Sequence, residues 1–345
     1  MKNKIIIIGA VVIAVVGSVL FWHFHLKNKS AHQAEQQKNE PIFTAINGVP
    51  VSEAISKSRP LAVVVENHTD ARPQSGLYFA DVVYETLAEG GITRLLAVFQ
   101  SQTPKEIGPV RSARPYFNAI ADQWHAAYAH VGGSASALSE LDSKVYKNLE
   151  DINQFFFGDY FYRSKDRPAP HNAYTSNDLI RSLLTKKNWT GWDQRKLGDF
   201  ATIPTSELKT TVTKINAKFF DPSYAVTFTF DPTTGLYNRV NGGKSFIDKT
   251  NNTQVAPRNV LVEFVDDYVV PLTPANGLGL HLDEDGRALL FTGGGVTDGT
   301  WRYKNGFTEY QYTDASNQTQ SMKFQPGQTW IILMPKSLAN NITWQ

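Results

Sequence analysis

The stretch Val82-Val83-Tyr84-Glu85-Thr86-Leu87-Ala88-Glu89-Gly90-Gly91-Ile92-Thr93-Arg94-Leu95-Leu96-Ala97-Val98-Phe99 decides the fold. Two runs rich in β-branched and aromatic residues flank a Gly-Gly pair, which supplies the positive φ angles of a tight turn. This is a β-hairpin. With Gly90 and Gly91 as the central turn residues, Leu87 lies opposite Arg94 and Glu85 opposite Leu96. The side-chain period of two then puts Glu85 and Arg94 on one face as diagonal neighbours, either as an ion pair or as part of a ligand site.

Upstream, Leu61-Ala62-Val63-Val64-Val65 is a short apolar run ended by Glu66-Asn67, the pattern of a buried strand that delivers polar groups at its C-terminal end. Downstream, Thr103 to Val110 is a loop with two prolines and a glycine. Pro115 opens a helix with Arg114 at its N-cap, because a residue before proline is pushed out of helical conformation. Tyr116, Ile120, Trp124 and Tyr128 recur at i+4 and predict one apolar face, with the helix ending at Ala129 to Gly133. Thr175 to Asp178 caps a further helix, Leu179 to Lys187.

Around the hairpin stand Arg72, Arg94, Arg111 and Arg114, placed among glycines and prolines rather than along a polar helix face. A helix start already carries partial positive charge and unsatisfied N–H donors, so Arg111 and Arg114 need an anion there. It is an internal carboxylate (Asp70, Asp81, Glu85 or Glu89) or the phosphate or carboxylate of a ligand, which guanidinium binds bidentately. In the ligand reading the four arginines hold the charge. Asn67, Gln74, Ser75 and Ser112 hydrogen-bond it, and Glu85 or Glu89 orients the arginines. His171, in the stiff loop Pro170-His171-Asn172, is a further contact, but no carboxylate or second histidine stands at triad or metal spacing from it. No metal ligand set, cofactor motif or catalytic base is identified. Thr292 to Gly299 is glycine-rich but lacks the spacing of a phosphate loop, and reads as a hairpin or bulge loop.

From Ala225 onward the pattern changes. Period-two or short apolar runs recur at Ala225 to Phe230, Leu236 to Val240, Asn259 to Val265, Ala288 to Phe291, Gly299 to Tyr303 and Thr329 to Met334, separated by Gly, Pro, Asn and Asp. The expected fold class is α+β. A membrane anchor or signal (1–26) and a polar tether (27–45) precede a mixed α/β domain (46–187), a connection (188–210) and a smaller antiparallel β-rich domain (211–345). The 345 residues, 41% hydrophobic and 19% charged, support real cores. A net charge of +2 without a basic stripe argues against nucleic acid. Ile5 to Trp22 is free of charge and just long enough for a spanning helix, which predicts a single-pass protein with its bulk outside the cytoplasm. Cysteine is absent, so disulfides, thiol nucleophiles and lipidation of an N-terminal cysteine are excluded.

The motifs Arg72-Pro73-Gln74-Ser75-Gly76, Asp81-Val82-Val83-Tyr84-Glu85, Glu89-Gly90-Gly91-Ile92-Thr93-Arg94, Ile107-Gly108-Pro109-Val110-Arg111-Ser112-Ala113-Arg114 and Pro170-His171-Asn172 resemble the YerB-like lipoprotein family, whose function is unknown. The resemblance covers nearly everything after the tether and implies an exported, membrane-attached protein of two parts. The missing cysteine departs from the lipoprotein pattern and leaves attachment to Ile5 to Trp22. A shorter likeness, Ala126 to Gly133 after the arginine-ended loop, is to the LytR-CpsA-Psr phosphotransferases. It implies an anionic envelope lipid or glycan as partner, as in a phosphate-bearing lipid-linked sugar or wall glycopolymer. The alternative is a non-enzymatic scaffold that docks cell-wall proteins.

Overall fold

A computed structural model describes residues 21–25, 27, 41–204, 211–270 and 277–345. Phe43–Gln345 form one compact unit. The predicted anchor Ile5 to Trp22 lies outside the described residues except for Phe21 and Trp22. Among the described residues no helix is long and apolar enough to cross a membrane.

From residue 43 onward strand outweighs helix. The quoted hairpin forms β2 (Val82–Leu87) and β3 (Thr93–Phe99), with β1 (Leu61–Glu66) before them. Helix α1 (Pro115–Gln123) follows, then β4 (Ala127–His130), α2 (Ala135–Asp142), β5 (Glu150–Asn153) and α3 (Asn177–Lys187). The later strands are β6 (Asn259–Val270), β7 (Asp285–Thr292), β8 (Gly295–Lys304), β9 (Phe307–Thr313), β10 (Thr319–Ser321) and β11 (Thr329–Pro335). One sheet joins them in the order β10-β9-β8-β7-β6-β11-β2-β3-β1-β4-β5, with Gly277–His281 paired to the far end of β6. Strand β11 runs parallel between β6 and β2, so the sheet continues across residues from both sides of the 188–210 connection.

Strands β1, β2 and β11 are buried along their whole length, as continuous apolar runs covered on both faces should be. One face carries Val63, Val65, Val83, Leu95 and Trp330. It packs on a second, five-stranded sheet through Ile215, Phe228, Phe230 and Tyr237. The other face carries Ala62, Val64, Val82, Leu96 and Val98 and packs on α1 through Tyr116, Phe117, Ile120 and Trp124. Each large side chain so buried contributes about 1.5–3 kcal/mol relative to exposure.

Several expectations are met. Arg114 is the N-cap of α1 in extended conformation with Pro115 as the first helical residue. Ser176 caps α3 by accepting the Leu179 N–H. Gly293 and Gly294, both at positive φ, turn the chain between β7 and β8.

Two expectations are corrected. Gly90 and Gly91 do have positive φ, but with Glu89 they form a short 3-10 turn, and the loop closes through Ala88 N–H donating to Ile92 O at 2.7 Å. The register is therefore Leu87 with Thr93, Thr86 with Arg94 and Glu85 with Leu95. A one-residue shift in a strand moves a side chain to the other face. Glu85 and Arg94 consequently lie on opposite faces and cannot pair. The helix opened by Pro115 is also shorter than predicted. It ends at Trp124, followed by His125 at φ 49, and Tyr128 lies instead in β4, parallel to β1. Left-handed backbone at a non-glycine residue stops a helix, and the Ala127 to His130 segment then joins the sheet.

Candidate functional site

The four predicted arginines do not converge on one vacancy. At the start of α1, Arg114 makes a two-pronged ion pair with Glu89 through Nε and through a terminal nitrogen at 2.5 Å from Oε2. Arg94 reaches the same carboxylate at 3.6 Å, and its guanidinium also faces the Ser112 carbonyl at 3.5 Å. Burial, then repulsion from Arg114, pushes Arg94 down to about 10. Burial works to raise the Glu89 carboxyl, but the hydrogen bond and charge of Arg114, aided by Arg94, leave it below its usual range. The anion demanded at this helix start is thus an internal one, as in the first of the two alternatives, and it is Glu89 rather than Asp70, Asp81 or Glu85. Asp81 is instead buried among the Asn47 side chain, the Gln100 and Ser101 amides and the Ser101 hydroxyl.

Arg111 Nε lies 3.0 Å from Glu66 Oε1, the last residue of β1, and the His171 Nδ1 is 3.0 Å from the same oxygen. The ring of His68 stacks on His171 with centroids 5.0 Å apart. A carboxylate and a second histidine do therefore stand beside His171, contrary to the expectation from sequence spacing. They come from the end of β1 and the turn after it, 105 and 103 positions away along the chain. Ser75 is tied to Glu106, donating to Oε1 at 2.7 Å.

Glu85 is fully buried and its partner is Arg239, also fully buried, at 2.8 Å. Sequence reasoning missed this residue. The Glu85 carboxylate also accepts from Trp330 Nε1 at 2.9 Å and Thr93 Oγ1 at 3.0 Å. The Arg239 guanidinium lies between two rings, 3.9 Å from the Phe246 centroid and 4.3 Å from that of Trp330. Such stacking is a guanidinium-specific device. Asn241 Oδ1 accepts from both Arg239 at 3.0 Å and Asn67 Nδ2 at 3.1 Å, joining the ion pair to the loop after β1.

Above this pair opens a cleft of about 620 Å³, and two predicted residues, Arg72 and Gln74, line it with Asn241, Lys244 and Phe246. Gln74 holds the loop shut by donating to Glu66 O and Asn67 Oδ1, each at 2.9 Å. Arg72 stands over the Tyr224 ring at 5.0 Å and donates to Asn67 O, Asn67 Oδ1 and Ser223 O. Those acceptors are neutral. Among the described residues Arg72 is the one predicted arginine without a carboxylate at ion-pair distance. A guanidinium has five N–H groups. Three are engaged, one on each nitrogen, which leaves one N–H on each terminal nitrogen uncommitted.

Residues 46–190 match the N-terminal domain, and residues 215–331 the C-terminal domain, of the family described as "Protein of unknown function (DUF3048)". The protein of Bacillus subtilis (strain 168) named "Putative lipoprotein YerB" is 30% identical over 332 residues, 95% of this chain and 97% of that protein. A crystal structure of the YerB protein from Bacillus subtilis superposes with a TM-score of 0.76 at 29% identity, covering 88% of this chain and 99% of that one. With both domains matched in order and a relative aligned along almost its whole length, the chain belongs to the YerB-like family of proteins of unknown function.

Proposed function

We propose that the protein is a membrane-tethered, extracytoplasmic envelope protein that binds a phosphate-bearing lipid-linked sugar or wall glycopolymer in the cleft lined by Arg72 and Lys244. The tethering draws support from the relative's name as a lipoprotein and from the apolar Ile5 to Trp22 run. This chain has no cysteine to carry a thioether lipid, so the run itself is the attachment.

The observation that carries the ligand reading is the set of neutral acceptors that hold Arg72. Its side chain is fixed by Tyr224 and backbone carbonyls, has no carboxylate at ion-pair distance among the described residues, with Glu85 and Asp221 acting on it only from farther away, and faces the cleft with N–H groups to spare. A fixed, partly desolvated guanidinium is well suited to phosphate oxygens. Phe246 and Ile247 supply apolar wall, and Gln74, Asn241 and Ser245 supply polar groups, a mixture that suits a sugar ring. Arg94, Arg111 and Arg114 take no part in this reading. Their ion pairs favour a structural role and lend the rival, a non-enzymatic scaffold for cell-wall proteins, its support.

Thermal unfolding with pyrophosphate and with a short polyprenyl phosphate tests the proposal. Ligand at 100 times its dissociation constant is expected to stabilise the wild type by about 2.7 kcal/mol. Lys244→Ala, on an exposed strand edge, and Arg72→Ala are expected to abolish most of that shift while the unliganded Lys244 variant melts like the wild type. A wild type that responds to neither compound, or a shift retained in both variants, favours the scaffold.

A further inference from the structure

We propose that His68, Asp70 and His171 form a binding site for a first-row divalent cation of the zinc type, with Glu66 as the carboxylate that orients His171. The site adjoins the cleft, whose lining includes Thr69, but does not rest on the function proposed for it.

The three side chains each offer a ligand atom, and these atoms lie within 4.8 Å of one another. Which nitrogens are free follows from the partners. Glu66, paired with Arg111, can only accept, so the proton of His171 is on Nδ1, 3.0 Å from Glu66 Oε1, and the lone pair is on Nε2. The amide of Asp70 can only donate, so His68 Nδ1, which it approaches at 3.2 Å, carries a lone pair. Asp70 Oδ2 stands 3.6 Å from the same nitrogen. Neither atom brings a proton to that contact. Their separation is close to the ~3.3 Å edge of a tetrahedron built on metal bonds of about 2.0–2.1 Å. A cation in that gap would replace the long amide contact and draw in the exposed Asp70 carboxylate.

Glu66 provides the independent sign. Its side chain is 5% exposed, and Oε2 is buried without a hydrogen-bond partner, while Oε1 fixes the tautomer and ring of His171. A carboxylate behind the distal nitrogen of a histidine is the usual outer arrangement of a metal-bound imidazole. Two imidazoles and one carboxylate leave at least one coordination position open to solvent or to a substrate oxygen. Arg111 beside Glu66 keeps the local charge near neutral before the cation binds.

The test uses the full chain, stripped with chelator and titrated with Zn²⁺ by calorimetry and with Co²⁺ by visible absorption. One equivalent is expected to bind, with Co²⁺ giving the d–d bands of imidazole and carboxylate coordination. Asp70→Asn and His68→Ala, both on the exposed turn after β1, are expected to weaken binding at least ~10-fold, and Glu66→Gln by ~10–100-fold. Lys244→Ala should leave the Zn²⁺ isotherm unchanged, which separates this site from the cleft. Absence of Zn²⁺ binding tighter than millimolar in the wild type, or binding that survives in the folded His68→Ala/Asp70→Asn double variant, overturns the proposal.

Discussion

Arg239→Met is expected to destabilise the protein by about 3–5 kcal/mol, because it leaves the fully buried Glu85 carboxylate without its cation. The donors that would remain, from Trp330, Thr93 and Asn67, are neutral and cannot replace a charge in a fully buried site. The converse change, Glu85→Gln, strands a guanidinium that is itself imperfectly served: Arg239 Nε and one terminal nitrogen have no hydrogen-bond partner and meet the Phe246 and Trp330 rings instead. A pair of this kind is costly to break and of little net value to keep. The double variant Glu85→Gln/Arg239→Met is therefore expected to be more stable than either single variant, since glutamine still accepts from Trp330 and methionine fills the slot between the rings. Urea unfolding of the four proteins gives the coupling energy directly. A single Arg239→Met variant within about 1 kcal/mol of the wild type would show that Glu85 takes up a proton or water at little cost, and the ion pair would lose its structural role.

That pair also marks where the sequence stops being legible. What depends on neighbours in the chain could be read: the extended Arg114 before Pro115, the Ser176 cap, the β-branched core strands and the glycine turn between β7 and β8. What depends on residues far apart could not. Arg239 is 154 positions from Glu85, and in sequence it is one charge in an alternating strand, indistinguishable from a solvated one. Strand β11 was recognisable as a buried apolar run. Its place between β6 and β2 is set by packing on both faces, for which no local pattern exists. The turn at Glu89 to Gly91 failed differently. Gly-Gly is compatible with several loop lengths, and one extra loop residue put Glu85 and Arg94 on opposite faces, which removed the pairing expected between them. Glu66 was visible as a polar group at a strand end, and its meeting with His171 needed the fold of the intervening loop.

Glu263 gives the second large effect, one that appears only as a function of pH. It lies in β6, fully buried, and accepts the Tyr310 hydroxyl at 2.8 Å, with no cation at ion-pair distance among the described residues. Burial pushes its pKa from 4.5 up to about 7, and the Tyr310 hydrogen bond opposes the rise without cancelling it. Between those two values the folded protein keeps a proton that the unfolded chain has released. Stability is therefore greatest with Glu263 protonated and falls as pH rises through that window, to a loss on the order of 3 kcal/mol above it. Other carboxylates, Glu89 among them, are held low and tilt the profile in the opposite sense, so the informative quantity is a difference between two proteins. Glu263→Gln keeps an oxygen for Tyr310 and removes the charge. Denaturant unfolding of wild type and variant should give nearly equal stabilities near pH 4, below the window, with the variant ahead by about 3 kcal/mol at pH 8. An offset that stays constant across that range would mean that Glu263 ionises in the fold as freely as in the unfolded chain. Water or a shift of Tyr310 would then have to solvate it, and its burial beside Tyr84, Trp301 and Leu333 would not be what sets its charge.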